Sequence, residues 1–471
     1  MNALCAWAVA VPLPGAGCGR ACRVARQRLV LGLVLGLALA TAAWVPAGAA
    51  AEPASPYPLL SLDGALRIAQ QRSQALIARE HAGEAAREMA IAAGRLPDPV
   101  LRLSLDNVPI EGSQRFSLGD DFMTMRSIAL TQTVTRADTR RARRARFERE
   151  ADAAHATGTL ALTSLRRDTA LAWFDRHFAQ QLLDLLSAQR EEAALQIVAA
   201  EAAYRAGRGT QTDVLQARSA LAGMDERILA ARARVTNART MLARWVGEAA
   251  FAPLAAAPSI ARTTLAPDAL AQRIEEHPDL VLLAAREALA RAEAEVARQA
   301  RHADWSVSLM YSQRGAAFAD MVSLGVSIPL PWDRGNRQDR ELAAKLAQVN
   351  QVRAEREELS REHFAQTQRW VEIWRSNLAR LQDYDRALIP LAAERTQAAL
   401  AAYRGGGSTL GAVIESRRME IATRIERLRI EMEAAASWSE LEFLVPRAAP
   451  PAAAGGGGAM PSPASGPGEA R

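Results

Sequence analysis

Two hydrophobic rhythms run along this chain, and each occurs twice. In the first, large apolar residues step by three and four: Leu171, Phe174, Phe178, Leu182 and Leu185, and again Trp370, Trp374, Leu378 and Leu381, with Leu388 seven further on. That spacing is the seam of a helix packed along other helices. Following each seam outward predicts helices from Thr135 to Ala206 and from Arg334 to Arg404. Each has about 70 residues, or roughly 105 Å at 1.5 Å per residue. Pro390 lies inside the second, where its missing N–H predicts a kink or a lost hydrogen bond.

The second rhythm has period two and predicts strands. Leu101, Leu103 and Leu105 face one way, with Arg102, Ser104 and Asp106 on the other side. Trp305, Val307, Leu309 and Tyr311 alternate with Ser306, Ser308 and Ser312. Val322, Leu324, Val326, Ile328 and Leu330 alternate with Ser323, Gly325, Ser327 and Pro329, and a less regular strand lies near Met123–Thr133. One face is apolar and the other small or polar. A half-buried soluble sheet has that pattern, and so has a barrel wall with a lipid face and a wet lumen. Two hairpins give four strands, too few to close a barrel in one chain. The barrel reading therefore requires several copies.

The chain is also written twice. Tyr204, Gly207, Thr210, Val214 and Arg218 meet identical residues 199 positions later, at Tyr403, Gly406, Thr409, Val413 and Arg417. Tyr204, Gly207 and Gly406 mark the turn at each break, and the Gly405–Gly407 run reads as a turn needing positive φ rather than a phosphate cradle. Shorter helices, Asp63–Ala93 and Asp268–Arg301, precede the two hairpins. The expected organisation is a secretory signal at 1–51, a first repeat at 52–253, a Pro/Ala-rich linker at 254–267, a second repeat at 268–445 and a disordered Pro/Gly/Ala-rich tail at 446–471. The expected fold is mainly α with a small β part: duplicated long coiled-coil hairpins plus two β-hairpins.

Composition removes other classes. Aromatics are 5% and the AVILMFWYC class 49%, so the apolar content is mostly aliphatic, which excludes a disordered chain and argues against an all-β domain. The formal charge of +6 rests partly on Arg20, Arg23, Arg26 and Arg28; beyond residue 51 there are 54 basic and 52 acidic residues, so no nucleic-acid partner is implied. Those arginines precede the apolar run Leu29–Val45 and the small residues Ala47-Gly48-Ala49 and Ala49-Ala50-Ala51, the pattern of a cleaved secretory signal. A single membrane anchor is the alternative. Cys5, Cys18 and Cys22 all lie in that segment, so no disulfide is expected afterwards, and no cysteine follows the run to carry a lipid.

Candidate chemistry is sparse. His81, His155, His177, His277, His302 and His363 are scattered without ligand spacing, so no metal site or cofactor is expected, and Met123 and Met125 read as packing residues. No nucleophile–base or paired-carboxylate signature stands out, so the chain is read as a non-enzyme. The cluster Arg136, Arg140, Arg141, Arg143, Arg144 and Arg146 reads as a solvated helix face, or as a contact with lipid phosphates or the cell-wall layer, rather than as a nucleic-acid patch.

At the paired breaks Tyr204–Arg218 and Tyr403–Arg417, with the secretory start and the duplicated helix–hairpin–helix plan, the chain resembles the TolC-like outer-membrane factors over residues 58–445. Arg95–Pro109 (RLPDPVLRLSLDNVP) and Phe122–Arg126 (FMTMR) look most like the heavy-metal efflux branch. The resemblance implies a homotrimer whose four strands per chain make a 12-stranded barrel in outer-membrane lipid, above a periplasmic helical tunnel. It implies a passive duct served by a periplasmic adaptor and an inner-membrane pump of the resistance-nodulation-division type. It also implies a gate at the periplasmic tip: Tyr403 matches the gating tyrosine, Asp213 its acidic partner, and Thr212 stands beside it. Ser408 replaces a basic gate residue and Ala412 the first acid of an inner ring, while Glu415 falls on the second acidic position. Cargo is expected to be metal cations by this likeness, with multidrug or type I secretion as the alternative. A coiled-coil envelope protein without a pore, or an adaptor, is the reading from another class; adaptors carry one hairpin, whereas two repeats with strands favour the duct.

Overall fold

The computed structural model describes residues 59–446 apart from 265, 267, 268 and 270–272. The expected signal segment at 1–51, the expected tail beyond residue 446 and the helix start expected at Asp268 lie outside the described residues.

The first repeat begins with α1 (Leu62–Arg72) and α2 (Gln74–Ala93), where a single helix over 63–93 is expected. Ser73 divides it. Its backbone leaves the helical region (φ −73°, ψ 100°), and its hydroxyl accepts the Leu76 N–H, capping α2. Ser61 caps α1 in the same way through the Gly64 N–H. Serine competes for backbone partners and so favours helix starts over helix interiors. After α2 come β1 (Val100–Asp106), β2 (Met125–Val134), α3 (Ala137–Arg205) and the returning α4 (Gln211–Val246). At 69 residues α3 spans about 100 Å.

The second repeat holds α5 (Pro278–Gln299), β3 (Trp305–Gln313), β4 (Met321–Ser327), α6 (Gln338–Asp383), α7 (Ile389–Arg404) and α8 (Leu410–Glu442). Between α6 and α7 the interruption expected from Pro390 takes the form of one wider π-turn, Tyr384–Leu388, in which the Ile389 N–H reaches back to the Tyr384 carbonyl. A five-residue step just ahead of the proline relieves the clash its ring would make with the carbonyl four residues back. The extra residue also rotates the face that follows. Leu388 is exposed, and the buried seam of α6 ends at Leu381.

Helix α3 packs against α2, α4, α5 and α8, and α6 against α5 and α8. The principal core gathers part-way along these rods, around Trp173, Phe174, Leu242, Val371, Trp374, Trp438 and Leu441. Three indole N–H groups there tie extended chain to the helices. Trp173 donates to the Leu60 carbonyl (3.1 Å), Trp374 to Ile260 (2.9 Å) and Trp438 to Arg262 (2.8 Å). The segment after α4 is thus strapped down: Leu60 N–H bonds the Pro253 carbonyl and Ala255 N–H the Leu60 carbonyl. The arginines at the start of α3 are largely ion-paired, Arg144 with Glu148 and Arg146 with Glu150.

Candidate functional site

Two regions at opposite ends of α3 stand out as candidate sites. The first is the sheet. Its strands run in the order β1-β2-β3-β4, all antiparallel, with β1 and β4 each paired on one side only. The register lines up whole apolar rows: Leu101–Leu130–Leu309–Leu324 and Leu103–Ile128–Tyr311–Val322. Among the described residues this face is largely bare; Leu103 is 72% exposed and Leu324 74%. The opposite face carries the row Ser104–Ser127–Ser312, in which Ser104 and Ser127 both donate to Asp106 (2.9 and 3.0 Å) and the Ser127 and Ser312 hydroxyls bond each other (2.9 Å). Trp305 opens β3 and Trp332, 90% exposed, follows β4, so both indoles sit at the helix-side end of the sheet.

The second region is the pair of tip turns, which share one backbone design. At the first, the Arg208 N–H bonds the Ala203 carbonyl, Gly207 takes φ 70°, and Thr210 caps α4 by accepting the Asp213 N–H. At the second, the Gly407 N–H bonds the Ala402 carbonyl, Gly406 takes φ 76°, and Thr409 caps α8 by accepting the Ala412 N–H. Positive φ is why glycine stands at both positions.

The side chains differ. Asp213 returns the bond to its cap: its Oδ2 accepts the Thr210 N–H (2.8 Å) and hydroxyl (2.7 Å). These bonds, the backbone one foremost, hold its carboxyl below the ordinary aspartate value. Thr212 is exposed beside it. Tyr403 packs into a small cluster with Ala200, Val214 and Leu410, whereas its repeat partner Tyr204 is exposed. The structure therefore brings Tyr403 against the neighbour of Asp213. Among the described residues no hydrogen bond joins Tyr403 to Asp213 within one chain. Ser408 is half-buried in the second turn. Glu415 is exposed, with Arg418 at 3.7 Å offsetting part of its charge. Glu415 and Arg418 also line a cleft of about 460 Å³ together with Gln189, Gln216 and Arg227.

Folding also gathers residues that lie far apart in the sequence. His277 caps α5, its Nδ1 accepting the Asp279 N–H at 3.2 Å, and His363 of α6 stacks on it with ring centroids 3.8 Å apart. Asp279 Oδ2 lies 3.7 Å from His277 Nδ1 and 3.3 Å from His363 Nε2. Burial, then the neighbouring His363, pushes the His277 imidazole down to about 4. The sequence reading missed this cluster because its halves are separated by a helix and two strands; the His277-x-Asp279 spacing ahead of an α-helix is the one local signal.

The fold is thus a paired-repeat helical body carrying an open antiparallel sheet with one bare aliphatic face, and the comparisons give it a likeness to outer membrane efflux proteins. The family model of outer membrane efflux proteins matches residues 65–248, essentially the first repeat. Solved structures extend the likeness over both repeats. The channel CusC superposes with a TM-score of 0.68 at 16% identity, over 82% of this chain and 92% of its own. The outer membrane protein VceC of Vibrio cholerae gives 0.64 at 17%, over 80% and 96%. The CmeC outer membrane channel of Campylobacter jejuni gives 0.64 at 13%, over 81% and 85%. No curated protein matches by sequence. The resemblance to TolC-like outer-membrane factors therefore holds, by family model in the first repeat and by fold over nearly all of the described chain. Among the described residues no helix is long and apolar enough to cross a membrane.

Proposed function

We propose that three copies of this chain pool their sheets into one 12-stranded barrel in the outer membrane, and that the helices continue it as a passive exit duct. The bare aliphatic face of β1–β4, with two unpaired edges, carries this reading. Within lipid every backbone N–H and C=O needs a partner, so an open four-stranded sheet cannot insert alone. Pairing β4 of one copy with β1 of the next removes all edges after three copies and leaves the aliphatic rows to lipid and the serine row to water. Trp305 and Trp332 stand where an interfacial aromatic girdle belongs. A cleaved signal at 1–51 delivers the chain, and no lipid anchor is needed.

The duct supplies no energy. A periplasmic adaptor and an inner-membrane pump of the resistance-nodulation-division type drive transport, and metal cations are the cargo favoured by the Arg95–Pro109 likeness. At the tip, Tyr403 and Asp213 approach between neighbouring coiled coils in the closed trimer, using the Asp213 oxygen that Thr210 leaves free. Thr212 and Ser408 flank that link, and Glu415 forms an acidic ring weakened by Arg418. The purified protein is expected to migrate as a heat-sensitive trimer and to give discrete conductance steps in planar bilayers. A monomer without conductance overturns the reading.

A further inference from the structure

We propose that His277, Asp279 and His363 form a resident binding site for a borderline divalent cation such as Zn²⁺, which clips the start of α5 to the middle of α6. The three side chains offer one donor atom each, all within 4.8 Å of one another. A tetrahedral ion with bonds of about 2.0–2.1 Å sets neighbouring donors roughly 3.3–3.4 Å apart. The carboxylate here stands 3.3 Å from one imidazole and 3.7 Å from the other. The 3.7 Å edge must close by a few tenths of an ångström, the nitrogen–nitrogen edge must adjust as well, and the His277 cap bond to Asp279 N–H gives way to the metal.

The second line of support is an unmet bond. His363 is 9% exposed; its Nε2 faces the Asp279 carboxylate at 3.3 Å, while its Nδ1 is shielded from solvent with no hydrogen-bond partner. Thr367, one turn further along the same face of α6, is buried too, with its hydroxyl unpaired. Buried polar atoms in native proteins almost always have partners, and the Asp279 carboxylate beside the two imidazoles supplies the anionic donor a cation needs. The surrounding charges permit one. Arg167 acts on both His277 and Asp279, but it is itself engaged by Asp168 (2.9 Å) and Glu440 (3.8 Å).

The donor set selects the metal class. Two imidazoles and one carboxylate suit zinc and its neighbours, leaving a fourth position for water; they disfavour magnesium and calcium, which prefer oxygen, and copper(I), which prefers sulfur. The described residues contain no cysteine, so no disulfide can serve as the clip. The ion is part of the scaffold rather than cargo, and the proposal stands apart from the duct reading.

The test uses the full-length detergent-solubilised protein, stripped with chelator and titrated with Co²⁺ and then Zn²⁺. The expected result is one ion per chain, an intense tetrahedral cobalt absorption that Zn²⁺ displaces, and a melting midpoint that rises with Zn²⁺. His363→Gln and Asp279→Asn are each expected to weaken binding at least tenfold. His277→Asn keeps a good helix cap while removing the imidazole and is expected to do the same, which covers the case of a poorly folded His363 variant. His81→Gln, at an exposed histidine, is expected to change nothing. Absence of the cobalt band, or undiminished binding in His277→Asn and Asp279→Asn, overturns the proposal. Conductance is expected to be unaltered by zinc, so failure here and failure of the duct reading are separable.

Discussion

At its first tip the chain reverses through Gly207 at φ 70° and restarts under Thr210; at its second it reverses through Gly406 at φ 76° and restarts under Thr409. Around these shared positions the two tips diverge. The first has Ala206 and Arg208 beside its glycine, a reciprocal capping box with Asp213, and an exposed tyrosine. The second has Gly405 and Gly407, a one-way cap with Ala412, and a tyrosine packed into the neighbouring helices. Duplication kept what the backbone demands, a left-handed residue and a hydroxyl cap. It let go of what sets how firmly the turn is held. The second tip is therefore expected to be the softer one, with three glycines in its turn, two fewer side-chain bonds at its cap, and its aromatic ring as the main tie.

The comparison extends to mid-length, where each repeat uses a tryptophan of its long helix to hold its own entry segment: Trp173 on Leu60 and Trp374 on Ile260. Trp173 is fully buried and Trp374 is 6% exposed. Trp173→Ala is expected to cost about 3–5 kcal/mol and Trp374→Ala somewhat less, since a fully buried ring leaves the larger cavity. The check is the thermal midpoint of the purified oligomer for each variant. Equal losses break the claim that the first repeat is the more tightly anchored.

Both long helices were legible in the sequence to within a few residues, because a three–four seam some tens of residues long admits no other structure. The tip glycines were legible for a similar reason, since few residue types accept positive φ, whereas Thr210 and Thr409 were read only as matching positions of the repeat and their capping role came from the structure. The split at Ser73 was obscured by the apolar pattern, which continues across it, although a cap-forming serine marks the place. Trp173 was overlooked because it stands next to Phe174 and so off the seam, yet three packed helices bury two adjacent faces at once. The His277–His363 contact depends on how the second repeat folds back on itself, which no local spacing records. The bare face of the sheet is the instructive case. Alternation alone left a soluble sheet and a barrel wall open, and among the described residues the aliphatic face stays exposed, which is what the proposed barrel wall requires.

A smaller effect separates the glycines of the second tip. Gly406→Val forces a β-branched side chain into positive φ and is expected to cost about 1–3 kcal/mol. Space is no obstacle, because no atom lies within 4 Å of a Cβ placed there. Gly405 has φ −78°, close to the −84° of Ala206 at the matching place in the first tip. Gly405→Ala is therefore expected to stabilise by about 0.4–1 kcal/mol, by restricting the unfolded chain. Proteolytic nicking of the tip reads both: faster for Gly406→Val and slower for Gly405→Ala. The same rate for the two means that the glycine run is not what softens this turn.

The finest distinction is the capping box itself. Asp213→Ala makes the first tip like the second and is expected to cost about 1 kcal/mol at neutral pH, while Ala412→Asp makes the second like the first and gains a comparable amount. The pH dependence follows from the Thr210 bonds that depress the Asp213 carboxyl in the folded chain. Folded Asp213 holds its proton less readily than unfolded Asp213, so its contribution is complete above the ordinary value of 3.8 and disappears as pH falls through the depressed one. Wild type and Asp213→Ala should thus differ in tip stability at pH 7 and converge in acid, with Ala412→Asp showing the same window. Conductance separates this local role from gating. If Asp213 also holds the closed tip through Tyr403, Tyr403→Phe with Asp213→Ala raises the resting conductance, and adding Ala412→Asp restores stability without restoring closure. Resting conductance unchanged in the double variant leaves Asp213 as a helix cap alone, and the two tips then differ in stiffness but not in gating.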